Sequence, residues 1–240
     1  MQPILDRFVP ARSAFRPKNR TELFACRLAQ KLGEPQTAGH FISLAGNHSE
    51  AQLILAYHRA VLAGKDQDLA KRFHDELRRN RPGDSSNNRS ANLISVRVER
   101  RAVAVAVFRG DYLEYTQARQ LSSARDKALI SAVGFVNWVL SHFSAESATF
   151  EAIPNGNEFH RRTLHDSIVR TLRQRMMPIW EVRKTDLFEG YGYPPLRSRK
   201  ELREVATSIW PILIGTNATV LIQDAAVLGL YVQVERLFIN

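Results

Sequence analysis

The sequence feature that most constrains the fold is a change of hydrophobic period within residues 93–153. In residues 93–99 apolar side chains alternate with polar ones, whereas over residues 124–142 they recur at helical spacing. A period of two residues is typical of half-buried strands, and a period of 3.6 residues is typical of an amphipathic helix. The segment therefore predicts three strands joined by hairpins, then a helix, then a fourth strand. The four strand segments are residues 93–99, 102–107, 112–117 and 148–153.

The chain after residue 153 is predicted to add one strand and three helices. Residues 178–182 have the composition of a short strand, and helical spacing recurs over residues 159–176, 199–214 and about 220–238. Together with the preceding segment, this gives the order β-β-β-α-β-α-β-α-α for residues 93–240. Such an alternation of strands and helices predicts an α/β domain.

The N-terminal third of the chain is predicted to form a small all-α domain. Residues 1–79 begin with a proline-containing arm and continue with short helical patterns that end at Gly, Pro or Asn. Residues 80–92 consist almost entirely of Ser, Asn, Arg, Gly and Pro, a composition typical of a flexible linker. The predicted boundaries are therefore 1–79 for the arm and helical domain, 80–92 for the linker, and 93–240 for the α/β domain.

The charge of the chain favours nucleic acid as a partner. The formal net charge is +10, and 27 of the 34 basic residues are Arg. Arginine binds phosphate through two hydrogen bonds at once and stacks on bases. An arginine-rich surface that only keeps the protein in solution is the alternative. The single cysteine, Cys26, excludes an intramolecular disulfide. Without a signal peptide or membrane span in the sequence, we expect a cytoplasmic protein that does not bind membranes.

The order of elements and three short motifs together resemble the Holliday-junction resolvase (RuvC-like) branch of the ribonuclease H-like superfamily. The motifs are Phe150–Ile153, Ser198–Glu201 and Asp224–Ala226 followed by Leu228–Leu230. The resemblance implies a ribonuclease H-like mixed five-stranded sheet flanked by helices, here preceded by the helical domain. It also implies that a homodimer is possible, since dimers are common in that branch.

The same resemblance implies a degenerate catalytic centre. In active members, carboxylates from the first strand, the fourth strand and the last helix hold two Mg²⁺ or Mn²⁺ ions. Glu151 and Asp224 match two of these positions, but Arg97 falls where the first-strand Asp is expected and Val227 where a further carboxylate is expected. A guanidinium cannot bind a cation. We therefore expect Arg97 to form an ion pair with Glu151 and Asp224 in place of metal ions, and we expect no cofactor.

Three functions follow from these observations. The first is a catalytically degenerate protein that binds DNA or RNA. The second is an active Mg²⁺- or Mn²⁺-dependent endonuclease on branched DNA or RNA, in which Glu99 replaces the missing ligand beside Glu151 and Asp224. Glu99 qualifies because it lies two residues after Arg97 and therefore on the same strand face. The third is an accessory subunit that binds a protein partner through the N-terminal helices.

Candidate contacts to nucleic acid lie on one helix and one loop. The helix predicted at residues 159–176 carries a basic face formed by His160, Arg161, Arg162, Arg170, Arg173 and Arg175. The loop at residues 188–195 is rich in Gly and contains Tyr191 and Tyr193. These two rings are candidates for stacking on unpaired bases. The alternative for both tyrosines is that they fix an irregular loop to the core.

Overall fold

A computed structural model of the chain describes residues 14–34, 37–64, 68–79, 92–110, 112–153, 158–211, 213 and 220–239. The helices are α1 (Arg20–Leu32), α2 (Ala38–Asn47), α3 (Glu50–Leu62), α4 (Leu69–Arg79), α5 (Arg125–Phe143), α6 (Phe159–Gln174), α7 (Lys184–Gly190), α8 (Arg199–Ile209) and α9 (Val220–Arg236). The strands are β1 (Leu93–Glu99), β2 (Ala102–Arg109), β3 (Tyr112–Gln120), β4 (Ser147–Glu151) and β5 (Ile179–Val182). Within these described ranges, no helix has both the length and the apolar character needed to cross a membrane.

The five strands form one mixed sheet in the order β3-β2-β1-β4-β5. The first three strands are antiparallel neighbours, whereas β4 pairs in parallel with both β1 and β5. This confirms the predicted α/β class and the mixed five-stranded sheet flanked by helices. Helix α7 was not predicted, because its residues overlap the segment interpreted as a loop.

Both faces of β1 and β2 are covered, so the expectation of half-buried strands is wrong for these two. One face of β1 packs Ile94, Val96 and Val98 against α5 and α6. The other face lies under α9, and there even Ser95 is buried. A sheet with helices on both sides leaves mainly its edge strands open to water, and β3, at one edge, has exposed and half-buried residues along its whole length.

Helices α1–α4 share a continuous apolar core with the face of the sheet that α9 covers. Phe24 of α1 and Phe73 of α4 belong to the same buried cluster as Phe108 of β2 and Leu228 of α9. The ring of Phe24 stacks on Phe238, just after α9, with 4.8 Å between ring centroids. Residues 1–13 of the arm predicted at 1–19 lie outside the described residues, as does nearly all of the linker at 80–92. The proposed domain boundaries therefore stay a prediction.

Small residues let helix α9 lie close to the sheet. A Cβ atom added at Gly229 would clash with the ring of Phe108 on β2. Ala225 and Ala226 are completely buried on the same helix. Close approach of α9 matters for the site described next, because it brings Asp224 over the end of β1.

Candidate functional site

Arg97, Glu151 and Asp224 converge at one end of the sheet, as the ion-pair hypothesis requires. Val96 of β1 pairs with Phe150 of β4 in parallel register, so the next residue on each strand is Arg97 and Glu151. The Nη1 atom of Arg97 lies 2.7 Å from Oε2 of Glu151, and its Nε atom lies 4.0 Å from Oδ2 of Asp224. The exposed fractions of these residues are 5%, 7% and 9%, so the charges are largely removed from water.

Helix α8 contributes two further arginines that the sequence did not indicate. The Nη2 atom of Arg199 pairs with Oε1 of Glu151, and its Nη1 atom lies 3.7 Å from Oδ2 of Asp224. One helical turn later, Nε of Arg203 donates a hydrogen bond of 2.9 Å to Oδ1 of Asp224. Residues four apart lie on the same face of a helix, which explains how both arginines reach the site. Ser198 sets this register, because its hydroxyl caps α8 by accepting from the Glu201 N–H.

Glu99 completes the group as a partner of Arg97. The Nη2 atom of Arg97 donates to Oε1 of Glu99 at 2.7 Å, and the Glu99 side chain is 42% exposed. Three guanidinium groups therefore face three carboxylates, and their formal charges cancel. We call this group the arginine–carboxylate cluster. Its members are Arg97, Glu99, Glu151, Arg199, Arg203 and Asp224.

The charge of Arg97 depends on its neighbours. Burial lowers the pKa of the Arg97 guanidinium, and the adjacent Glu151 carboxylate opposes that effect. The nearby cations Arg199 and Arg161 lower the pKa of Arg97 further, and Glu99 raises it. An arginine nevertheless stays protonated in proteins. The carboxylates therefore stabilise a buried positive charge that would otherwise be unfavourable.

This geometry does not fit a pair of Mg²⁺ or Mn²⁺ ions. Such ions need several oxygen ligands at about 2.0–2.1 Å in a near-octahedral arrangement. Here every carboxylate oxygen of Glu151 and Asp224 has a guanidinium nitrogen within 4.0 Å. A cation would have to displace three positive groups to reach them. Across the described ranges, no set of three or more His, Cys, Asp or Glu side chains is placed to hold a metal ion.

The predicted basic face of α6 is smaller than expected. Arg170, Arg173 and Arg175 are exposed, and Arg162 is half-buried. Arg161 is buried instead, so its expected place on the exposed face is wrong. Its Nε atom donates a hydrogen bond of 2.8 Å to the carbonyl of Val98, and its Nη1 atom lies 2.6 Å from the Glu158 carboxylate. Arg161 thereby satisfies the backbone at the end of β1.

The two tyrosines of the loop are not equivalent. Tyr191 is completely buried, and its hydroxyl donates a hydrogen bond to the carbonyl of Val227 on α9. Burial also raises the pKa of Tyr191 well above its usual value. Stacking of Tyr191 on a base is therefore wrong, and its alternative role of fixing the loop to the core agrees with its contacts. Tyr193 is half-buried and forms an isolated antiparallel bridge with Phe15.

Comparison with solved structures identifies the fold. A structure of RuvC from Thermus thermophilus has a TM-score of 0.50 at 12% identity, covering 60% of this chain and 95% of RuvC. RuvC from the same organism in complex with a Holliday junction substrate gives 0.52 at 12% identity, covering 61% and 96%. The yeast mitochondrial Holliday junction resolvase Ydc2 gives 0.41 at 9% identity, covering 78% and 96%.

The likeness to RuvC confirms the predicted ribonuclease H-like fold in its RuvC-like form. No protein-family model matches the chain, and a search of curated proteins finds no match. At this low identity the structures establish the fold alone. What the site does must therefore be argued from its own residues.

Proposed function

We propose that this chain is a nucleic-acid-binding protein in which the arginine–carboxylate cluster replaces the metal centre of a ribonuclease H-like nuclease. The proposal rests mainly on Glu151, because each of its two carboxylate oxygens faces an arginine. One of its oxygens faces Arg97 and the other faces Arg199. With Asp224 held by Arg203 in addition, neither carboxylate is available for a cation.

The chemistry of arginine supports the proposal that the chain does not cleave phosphodiester bonds. Two-metal hydrolysis requires a cation that lowers the pKa of bound water and a second that stabilises the leaving oxygen. A guanidinium has no open coordination position, and it does not give up its proton at neutral pH, so it cannot act as a general base. The cluster is instead suited to a structural role, since it ties together β1, β4, α8 and α9.

The partner proposed for this scaffold is the phosphate backbone of DNA or RNA. The net charge of +10 attracts a polyanion. Arg170 and Arg173 are exposed one turn apart on α6 and line a groove together with Asp166 and Glu181. Arginine binds phosphate oxygens through charge-assisted hydrogen bonds. The solved RuvC complex contains a Holliday junction, so a four-way DNA junction is the first substrate to test.

A cleavage assay tests the loss of catalysis. We expect the purified protein to leave four-way junctions, single-stranded DNA and RNA intact in Mg²⁺ or Mn²⁺, to the same extent as a Glu151→Gln variant. The variant, prepared identically, controls for contaminating nucleases. Cleavage by the unaltered protein that disappears in Glu151→Gln would instead establish the alternative, an endonuclease that uses Glu99, Glu151 and Asp224 with Mg²⁺ or Mn²⁺.

Charge reversal on α6 tests the binding surface. In an Arg170→Glu/Arg173→Glu variant we expect at least tenfold weaker binding to labelled DNA at low salt, because two attractive interactions with phosphate become repulsive. The slope of log K against log salt should also decrease by about 0.9 for each duplex phosphate that the variant no longer binds. Fluorescence anisotropy between 50 and 200 mM salt measures both quantities.

The matched control for this experiment is Arg78→Glu/Arg109→Glu. It makes the same change in net charge at exposed sites on α4 and at the end of β2. An equal loss of affinity in both variants would mean that α6 makes no specific contact. Absence of nucleic-acid binding by the unaltered protein would favour the remaining alternative, an accessory subunit that binds a protein partner through helices α1–α4.

A further inference from the structure

A basic cavity opens where β1 and β3 end and where helices α5 and α6 begin. Its volume is about 60 Å³. One ordered water needs roughly 10–15 Å³ on the same measure, so the cavity has room for a tetrahedral oxyanion. Its polar lining consists of Arg100, Arg101, Ser122, Ser123, Arg125, His160 and Thr163. Of these residues, only His160 belongs to the basic helix face predicted from the sequence.

The basic side chains of this cavity come from three separate parts of the fold. Arg100 and Arg101 form the turn between β1 and β2, Arg125 begins α5, and His160 lies in the first turn of α6. Within the described part of the chain, Arg100, Arg101 and Arg125 have no carboxylate partner within 4.0 Å. Three exposed arginines therefore line one small cavity, and none of the described carboxylates pairs with them. This arrangement favours an anionic ligand.

Neighbouring carboxylates do not neutralise the cavity. Glu158, just before α6, pairs with Arg161. Glu99, just before the turn, pairs with Arg97. Asp126 lies in the first turn of α5 but is not among the lining residues. The guanidinium of Arg125 lies over the ring of Phe159, with 5.2 Å from its carbon to the ring centroid, which favours a fixed orientation at the cavity wall.

Hydroxyl and backbone groups at the same place add to the attraction for an anion. The nineteen-residue helix α5 has no side-chain hydrogen bond at its N-cap, Ala124. Ser122 accepts a hydrogen bond from the Ala124 N–H at 3.1 Å, and Ser123 lies beside it in the lining. The N-terminal end of a helix carries a partial positive charge. This effect strengthens a site that the three arginines already define.

We propose that this cavity binds one phosphate group of a nucleic-acid backbone. The proposal rests on the proposed function and adds a second contact to it. The cavity opens at the same sheet end as the arginine–carboxylate cluster, but on the face covered by α5 and α6. His160 and Arg170 are separated by ten residues of α6, or about 15 Å of helix axis. That distance corresponds to roughly four nucleotides along one DNA strand, at 3.4 Å each. A strand that ran along the axis of α6 would pass both sites.

Two variants of different kind test the cavity. Arg100→Ala/Arg101→Ala removes two of its cations, and Ser123→Glu adds a carboxylate while every arginine is retained. For both we expect about tenfold weaker binding to a labelled four-way junction and a smaller salt slope, by about 0.9 for one duplex phosphate. Arg100, Arg101 and Ser123 are all exposed, so the melting temperature should not change. Arg78→Ala/Arg109→Ala controls for the change in net charge of the first variant, and Arg78→Ala alone does so for Ser123→Glu.

The outcomes separate this proposal from the proposed function. If the unaltered protein binds DNA and both cavity variants behave like the control, the cavity proposal is wrong and the proposed function stands. If the unaltered protein binds no nucleic acid, both are wrong. Calorimetry with inorganic phosphate addresses a free anion as ligand. Phosphate binding that requires Arg100 and Arg101, but that excess oligonucleotide does not displace, would overturn the backbone assignment.

Discussion

A chain that begins at residue 92 is expected not to fold, although the sequence predicts an independent domain there. Helix α1 buries Leu23, Phe24 and Leu28 completely, in a cluster that includes α9. Without α1–α4, their apolar partners on α9 would face water. Burial of each such side chain is worth about 1.5–3 kcal/mol. Loss of several of them is comparable with the roughly 5–15 kcal/mol by which a domain is stable.

Polar contacts lead to the same expectation for the truncated chain. Glu235 at the end of α9 lies 2.6 Å from Arg27 and 3.0 Å from Lys31, both on α1. The ring nitrogen Nε2 of His58 on α3 lies 2.9 Å from the carbonyl of Leu237. Truncation would remove these partners together with the apolar cover. Circular dichroism melting and the dispersion of an amide NMR spectrum measure the result.

A cleavable linker provides the control for truncation. A protease site placed within residues 80–91 of the full chain should allow cleavage after folding, and we expect the two fragments to elute together afterwards. Co-elution would show that the two parts stay packed together without a covalent connection. Failure of the truncated chain to fold would then result from the missing packing. A cooperative melting transition and a dispersed spectrum for residues 92–240 alone would contradict the expectation and support the predicted boundaries at 79 and 92.

Replacement of Arg97 by Met is expected to have the second-largest effect, a loss of about 3 kcal/mol in the free energy of unfolding. Removal of one partner from a buried ion pair typically costs about 3–5 kcal/mol, because the other charge stays buried without compensation. The lower end applies here, since Arg199 still faces Glu151 and Glu99 is partly exposed. For a chain of this size the melting temperature should decrease by roughly 6–12 °C.

Two further variants make this experiment specific. Arg78→Met removes an arginine whose side chain is 81% exposed and should change stability by about 0.5 kcal/mol at most. Arg97→Met/Glu151→Met replaces both partners by apolar groups and should recover part of the loss, which a double-mutant cycle from urea unfolding quantifies. Unchanged stability in Arg97→Met alone would mean that the cluster does not hold β1 and β4 together.

The strands and most helices were predictable because their signals are local. Alternation in β1 and the serine that caps α8 can both be read from a few neighbouring residues. Alternation does not reveal whether the polar face of a strand meets water or a helix, so the burial of Ser95 was missed. Likewise, the apolar stripe of α1 predicts a helix that packs, but it does not identify α9 as the partner.

Only part of the site was predictable, because the rest depends on contacts between residues that are far apart in the sequence. The motifs placed Arg97, Glu151 and Asp224 on elements that the fold brings together. The contribution of Arg199 and Arg203 depends on the angle at which α8 crosses the end of the sheet, and no local pattern encodes that angle. The burial of Tyr191 depends on a carbonyl of α9 that lies 36 residues further along the chain. A glycine-rich aromatic loop gives no sign of such a contact.

The charge balance of the arginine–carboxylate cluster also limits how such a centre can evolve. Substitution of Arg97 by Asp alone would leave two arginines facing four carboxylates at a buried position. Arg199 and Arg203 would still occupy the space of the ions that a metal centre needs. This substitution alone would therefore give an unbalanced cluster and a less stable protein. If the cluster did replace a metal centre, as proposed above, a single substitution at Arg97 would not restore that centre.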